Sequence, residues 1–293
     1  MRTIAAALRF ASLFVYVLCC LFVIAFLLPG RSPEQKGRVI GRWARRLVRW
    51  LGVRVETSGA FEDALVHDCG VTPGRIGRLL CANHCSVLDV FVLNGLAPSS
   101  FVAKAEIARW PVFGMIASAV GTIFIERGNK RALLSIAERM ERALGEGRSL
   151  LLFPEGTTSD GTGLLPLHAN LMQAAAATGA PVIPIVLRYK SGDKITTRAA
   201  YVGDTGLFTC LWRILRTPDF KVEVKILEPV CGDNRHAICR EVSAAMCRAI
   251  GVVDPLAAAA AVHGTPAVRP QERGDKPQAG AQGGEEAASE KHT

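Results

Sequence analysis

Aromatic residues are scarce in this sequence, at 6% of the chain. That is thin for a platform on which nucleobases stack, so no nucleic-acid partner is expected. No two of the nine cysteines are spaced Cys-x-x-Cys. Their spacing argues against a zinc ribbon, and their odd number argues against a closed disulfide framework. Cys231, His236 and Cys239 form the best metal-like grouping, but a buried cysteine is ordinarily a small hydrophobe, and no metal is assigned. Charged residues reach only 21% while apolar residues reach 49%, the reverse of what keeps a chain disordered. No internal repeat is evident in the 293 residues. The length fits one domain of about 200 residues with appendages.

Charge is absent altogether between Phe10 and Leu28. A helix of about 20 apolar residues crosses a hydrocarbon core, so residues 1–30 are expected to form a hydrophobic membrane helix. A cleaved signal peptide would have a shorter apolar region and a small-x-small site after it, whereas Leu27-Leu28-Pro29-Gly30 follows here. The next stretch, 31–51, is a basic amphipathic segment expected at the interface. From Arg31 to Arg54 there are eight positive residues and one acid, Glu34. Val39, Trp43, Leu47 and Trp50 recur there at helical spacing. Tryptophan favours the lipid–water boundary, and each basic residue contributes about 1 kcal/mol beside an anionic membrane surface. More cations follow the apolar run than precede it, which puts the rest of the chain on the cytoplasmic face of the inner membrane. Residues 257–293 are rich in Ala, Gly, Gln and Glu and read as a disordered tail.

Residues 52–256 alternate short β-like runs with helical ones, the pattern of an α/β domain. Strands are expected at 53–57, 78–82, 100–103, 122–126, 149–153, 182–188, 199–203 and 221–227. Helices are expected at 86–96, 130–144, 167–178 and 235–250. In the second helix, Leu133, Ile136, Met140 and Leu144 share a face behind an Asn129 cap. The conspicuous polar residues each follow a strand. Asn83-His84-Cys85-Ser86-Val87-Leu88-Asp89 follows the second, Lys104 the third and Arg127 the fourth. Pro154-Glu155-Gly156-Thr157-Thr158-Ser159 follows the fifth. Ligands in open α/β sheets bind beyond the carboxyl ends of strands, so these groups are expected to share a cleft. A histidine removes a proton near neutral pH and a carboxylate orients it. His84 and Asp89 have the chemistry for such a pair if a turn closes the five-residue gap. The nucleophile would then be a substrate hydroxyl. Cys85 is a second candidate nucleophile, although adjacent side chains rarely face each other. Arginine and lysine at strand ends suit a phosphate, and Gly156 lets a ligand approach the backbone.

Four blocks in order resemble the glycerolipid acyltransferase family, the 1-acylglycerol-3-phosphate acyltransferases. They are Asn83–Asp89 for NHxSxxD, Gly121–Arg127 for GxxFIxR, Phe153–Ser159 for FPEGTxS, and Val182-Ile183-Pro184-Ile185. The resemblance implies an α/β fold with a central, mostly parallel sheet flanked by helices. It implies transfer of a fatty acyl group from acyl-CoA or an acyl carrier protein thioester to the hydroxyl of a lysophospholipid acceptor. His84 would be the general base, with Asp89 orienting it. Arg127, Glu155, Gly156 and Thr157 would bind the headgroup, with Lys104 assisting. Neither cofactor nor metal is implied for the chemistry. Many members carry Arg where this chain has Thr158. That departure resembles variants acylating other lyso-lipids, including lyso-ornithine lipid, and a catalytically dead lipid-binding protein is a third reading.

Overall fold

The computed structural model describes residues 2–59, 76–110, 113–119, 121–125 and 130–257. Among them, eight strands form one sheet in the order β1-β8-β6-β2-β5-β3-β4, with the short β7 on the end of β6. The strands are β1 (Arg54–Gly59), β2 (Leu79–Ala82), β3 (Ser100–Lys104) and β4 (Ile123–Ile125). They continue with β5 (Leu150–Leu152), β6 (Val182–Ser191), β7 (Lys194–Ile195) and β8 (Phe220–Ile226). Strands β6, β2, β5, β3 and β4 run parallel. β8 turns back antiparallel to β6 and carries β1 parallel to itself. The sheet is thus mixed and mostly parallel.

All four residues of β2 and all three of β5 are buried, as expected of strands covered on both faces. Alternation sorts them. Leu80, Ala82 and Leu151 join one core, with α2 (Pro33–Trp50), α3 (Leu88–Leu96) and α7 (Leu207–Arg216). Leu79, Cys81, Leu150 and Leu152 join the other, with α5 (Lys130–Gly145), α6 (Gln173–Thr178) and α8 (Arg235–Ile250). A short helix, α4 (Phe113–Ala119), follows β3 by way of a 3₁₀ turn at Ala105–Arg109. Ile136, Met140 and Leu144 of α5 are buried together; Asn129 falls outside the described residues.

The first helix, α1 (Arg2–Phe22), runs into a π turn at Val23–Leu27. Residues Ala7–Leu27 are long and apolar enough to cross a membrane. α1 lies lengthwise on the protein. Phe10, Leu13 and Tyr16 pack against the core, and Val23 and Leu28 pack with Val39 of α2. The Tyr16 hydroxyl donates to the Trp43 carbonyl, and the Trp50 indole donates to Ser12 Oγ at 3.1 Å. α2 opens with a Ser32–Gln35 capping box and Pro33 in its first turn, a combination that satisfies the orphan N–H groups.

Three expectations change. The apolar stripe of 31–51 is largely internal: Val39 and Leu47 are buried, with Ala44 and Val48 beside them, so α2 is part of the domain's core. Its exposed row is Arg38, Arg42, Arg46 and Arg49. Residues 199–203 form no strand. β6 is already paired with β2 on one side and β8 on the other, and Tyr201 N–H instead bonds Cys85 C=O at 2.8 Å. The helix expected at 167–178 begins only at a 3₁₀ turn, Ala169–Met172, and ends where Gly179 turns left-handed.

Candidate active site

The turn leaving β2 holds the site. β2 pairs with β6 as far as Ala82 and Ile185. Asn83 then extends the ladder with its side chain. Leu187 N–H donates to Asn83 Oδ1 at 2.7 Å, and Asn83 Nδ2 donates to Leu187 C=O at 3.1 Å. The chain bends sharply, and Asp89 in the first turn of α3 reaches back across it. Asp89 Oδ2 accepts the backbone N–H groups of Cys85 and Ser86, each at 2.8 Å. The same oxygen lies 2.8 Å from His84 Nδ1. The turn therefore closes the five-residue gap. Asp89 is 0% exposed, and its other oxygen accepts the Tyr189 hydroxyl at 2.7 Å.

A carboxylate in that position takes the hydrogen of Nδ1, which assigns Nε2 as the acceptor atom of the imidazole. The His84 side chain is 20% exposed, and its ring stacks on Phe153 with centroids 3.9 Å apart. The backbone of His84 is gripped from both sides. Its N–H donates to Glu155 Oε1 at 2.7 Å, and its C=O accepts Ser159 N–H at 2.7 Å. The imidazole is thereby held by a hydrogen bond, a stacked ring and a fixed backbone.

The remaining expected residues separate into two groups. Glu155 is buried, and its second oxygen accepts Leu165 N–H at 2.9 Å. Each oxygen accepts a backbone N–H, one of them from His84, so Glu155 braces the turn that carries His84. Burial pushes its carboxyl above the usual range, against the lowering effect of those N–H groups. Gly156 has φ +67°, a conformation glycine accepts readily, and that turn leaves Thr157 exposed. Lys104 ends β3 and is exposed. β3 lies beyond β5 from β2, which puts the two strands about 10 Å apart. β4 runs parallel to β3 and ends at Ile125; Arg127 falls outside the described residues. The thiol of Cys85 is buried and pushed well above its ordinary value, chiefly by burial and then by Asp89. It is no poised thiolate.

Sequence reasoning gave no role to Asn83, Phe153 or Tyr189. A tyrosine closing the Val-Ile-Pro-Ile strand was the available signal, because its ring suits the core and its hydroxyl needs a partner.

The acyltransferase family profile matches residues 65–188. A 1-acyl-sn-glycerol-3-phosphate acyltransferase from Neisseria meningitidis serogroup B is 37% identical over 213 residues, 71% of this chain and 79% of the relative. The chain belongs to the acyltransferase family. A lyso-ornithine lipid O-acyltransferase of Pseudomonas aeruginosa is also 37% identical to this acyltransferase, over 69% of this chain and 77% of the relative. Its fold matches the crystal structure of the 1-acyl-sn-glycerophosphate acyltransferase PlsC from Thermotoga maritima, with a TM-score of 0.61 over 86% of this chain and 97% of the other at 22% identity. The acyltransferase is an O-acyltransferase of lipid metabolism.

Proposed function

We propose that this acyltransferase moves a fatty acyl group from acyl-CoA or an acyl carrier protein thioester to the sn-2 hydroxyl of 1-acylglycerol-3-phosphate, giving phosphatidic acid. The observation that carries the chemistry is the His84–Asp89 pair at 2.8 Å, locked by two backbone N–H groups and Tyr189. His84 Nε2 takes the proton of the acceptor hydroxyl as its oxygen attacks the thioester carbonyl. Asp89 keeps the tautomer and balances the imidazolium. Collapse of the tetrahedral intermediate expels the thiolate, and the imidazolium returns the proton to sulfur. The carboxyl ends of β2, β5, β3 and β4 share one edge. The headgroup is assigned there, to Lys104, Gly156 and Thr157, with Arg127 as the further ligand that the GxxFIxR resemblance implies.

The acceptor reaches this edge from a membrane. α1 and the π turn after it point Phe14, Leu18, Phe22 and Phe26 outward, each at least half exposed. Such an apolar stripe needs a lipid cover. Because Phe10, Leu13 and Tyr16 of α1 and Val23 and Leu28 just after it pack on the protein, the helix is assigned a place along one leaflet, not across the bilayer. The exposed arginines of α2 suit an anionic surface such as the cytoplasmic leaflet presents, and the protein is assigned to that face.

One observation favours a different acceptor. Thr158 offers no cation, and its hydroxyl is tied to the Tyr201 carbonyl. A lyso-ornithine lipid carries no phosphate monoester and does not need that cation. The full chain is assayed in membranes against a panel of lyso-lipids, with thiol release and lipid product both followed. Faster transfer to 1-acylglycerol-3-phosphate supports the main reading. Faster transfer to lyso-ornithine lipid replaces it. No thiol release with any acceptor overturns both.

A further inference from the structure

We propose that helix α7 is a second lipid-contacting element, seated beside α1 on an anionic bilayer surface. It rests on the membrane placement of α1 given above and extends it to a part of the chain far along the sequence.

α7 has two unlike faces. Cys210, Leu211, Ile214 and Leu215 are buried against the sheet. The opposite face carries Phe208, Trp212, Arg213 and Arg216. Phe208 is 70% exposed. One exposed phenylalanine needs no explanation by itself. This one continues another apolar surface. Phe10 of α1 meets both Phe208 and Trp212 edge to face, each with centroids 6.0 Å apart. The outward stripe of α1 and the outer face of α7 are therefore contiguous.

The chemistry of that face selects its occupant. The Arg216 guanidinium lies over the Trp212 ring, 5.9 Å from its centroid. An aromatic ring at the boundary with cations beside it is the arrangement expected at lipid headgroups. A second copy of the chain fits poorly, because a two-fold contact centred there would bring Arg213 and Arg216 against their own equivalents.

The placement also bears on catalysis. The segment leading into α7 is fastened to the active-site turn by Tyr201 N–H on Cys85 C=O and by the Thr158 hydroxyl on Tyr201 C=O. The Cys210 thiol bonds Ala199 C=O at 3.3 Å. Seating α7 on lipid holds the catalytic turn at a fixed height over the bilayer.

A photoreactive benzoylphenylalanine at position 208 of the full chain, in vesicles of equal parts phosphatidylcholine and phosphatidylglycerol, tests the contact directly. Position 253 is the control, since Val253 is exposed beyond α8 on the other side of the sheet. Lipid adducts at 208 and not at 253 are expected. Chain-to-chain adducts at 208, or no more lipid there than at 253, overturn the proposal. Separately, Phe208→Glu should lower the ratio of the rate on vesicle-borne acceptor to that on a dispersed short-chain acceptor about tenfold, the scale of losing one buried aromatic contact. An unchanged ratio overturns it. Cross-linking needs no turnover, and transfer by the unaltered protein to the dispersed acceptor reports on the acyltransferase reading alone.

Discussion

Asp89 receives four donors on two oxygens, which defines what replacing it does. In Asp89→Asn one oxygen becomes an NH₂ group facing groups that also donate. The imidazole loses its orientation, and turnover should fall about 10²–10⁴-fold in steady-state kinetics while the chain still folds. Tyr189→Phe is gentler. The ring keeps its stack on Phe220 and only the donor to Asp89 goes. Turnover should drop about tenfold, as for other supporting hydrogen bonds, with the acceptor KM unchanged; a raised KM with full turnover would show that Tyr189 does not act through Asp89. Glu155 gives a pH signature. Its carboxyl is raised by burial, so its stabilising contribution is full at acid pH and is lost as pH rises from the ordinary carboxylate range through the raised value. In denaturant unfolding, the stability gap between the native chain and Glu155→Gln should be widest at acid pH and narrow as pH rises. His84 and Asp89 were legible as a pair because they sit in one short motif. Tyr189 was not assigned, since it lies 100 residues from Asp89 and only the β2–β6 pairing brings them together. The backbone N–H groups that Glu155 accepts were not legible, because spacing does not reveal what a carboxylate accepts.

Continuous apolar runs made most strands readable, and β2, β5 and β8 fall within a residue or two of expectation. α7 escaped because it is only ten residues long and Gly206 gives it no side-chain cap, so no start signal marks it in the sequence. The stripe on α2 was visible, but a sequence does not say whether lipid or protein covers it. The structure answers with close packing on α3. A Cβ at Gly41 would lie 2.8 Å from the Pro98 ring and 3.3 Å from the Asn94 carbonyl oxygen. Gly41→Leu should therefore push the helices apart and cost about 1–3 kcal/mol, the usual range for overpacking, measured as a lower unfolding midpoint. The same packing governs truncation. Removing residues 1–30 should leave a cooperative unfolding transition, whereas removing 1–50 also strips Leu47 and Val48 from the core and should abolish it.

At the scale of the whole molecule, a basic helix, an apolar helix and the catalytic edge are joined in one body. Arg38, Arg42, Arg46 and Arg49 are exposed along α2, and near an anionic surface each is worth about 1 kcal/mol. Retention on vesicles in a sedimentation assay should fall when phosphatidylglycerol is replaced by phosphatidylcholine, and raising the salt should have the same effect. Retention indifferent to both would leave the apolar stripe of α1 as the sole attachment. The lengthwise docking of α1 has a kinetic consequence. An enzyme lying in the film meets its acceptor by lateral diffusion, so the relevant concentration is a mole fraction in two dimensions. Blending inert lipid into the vesicles, at constant total acceptor, should slow turnover in proportion to the dilution.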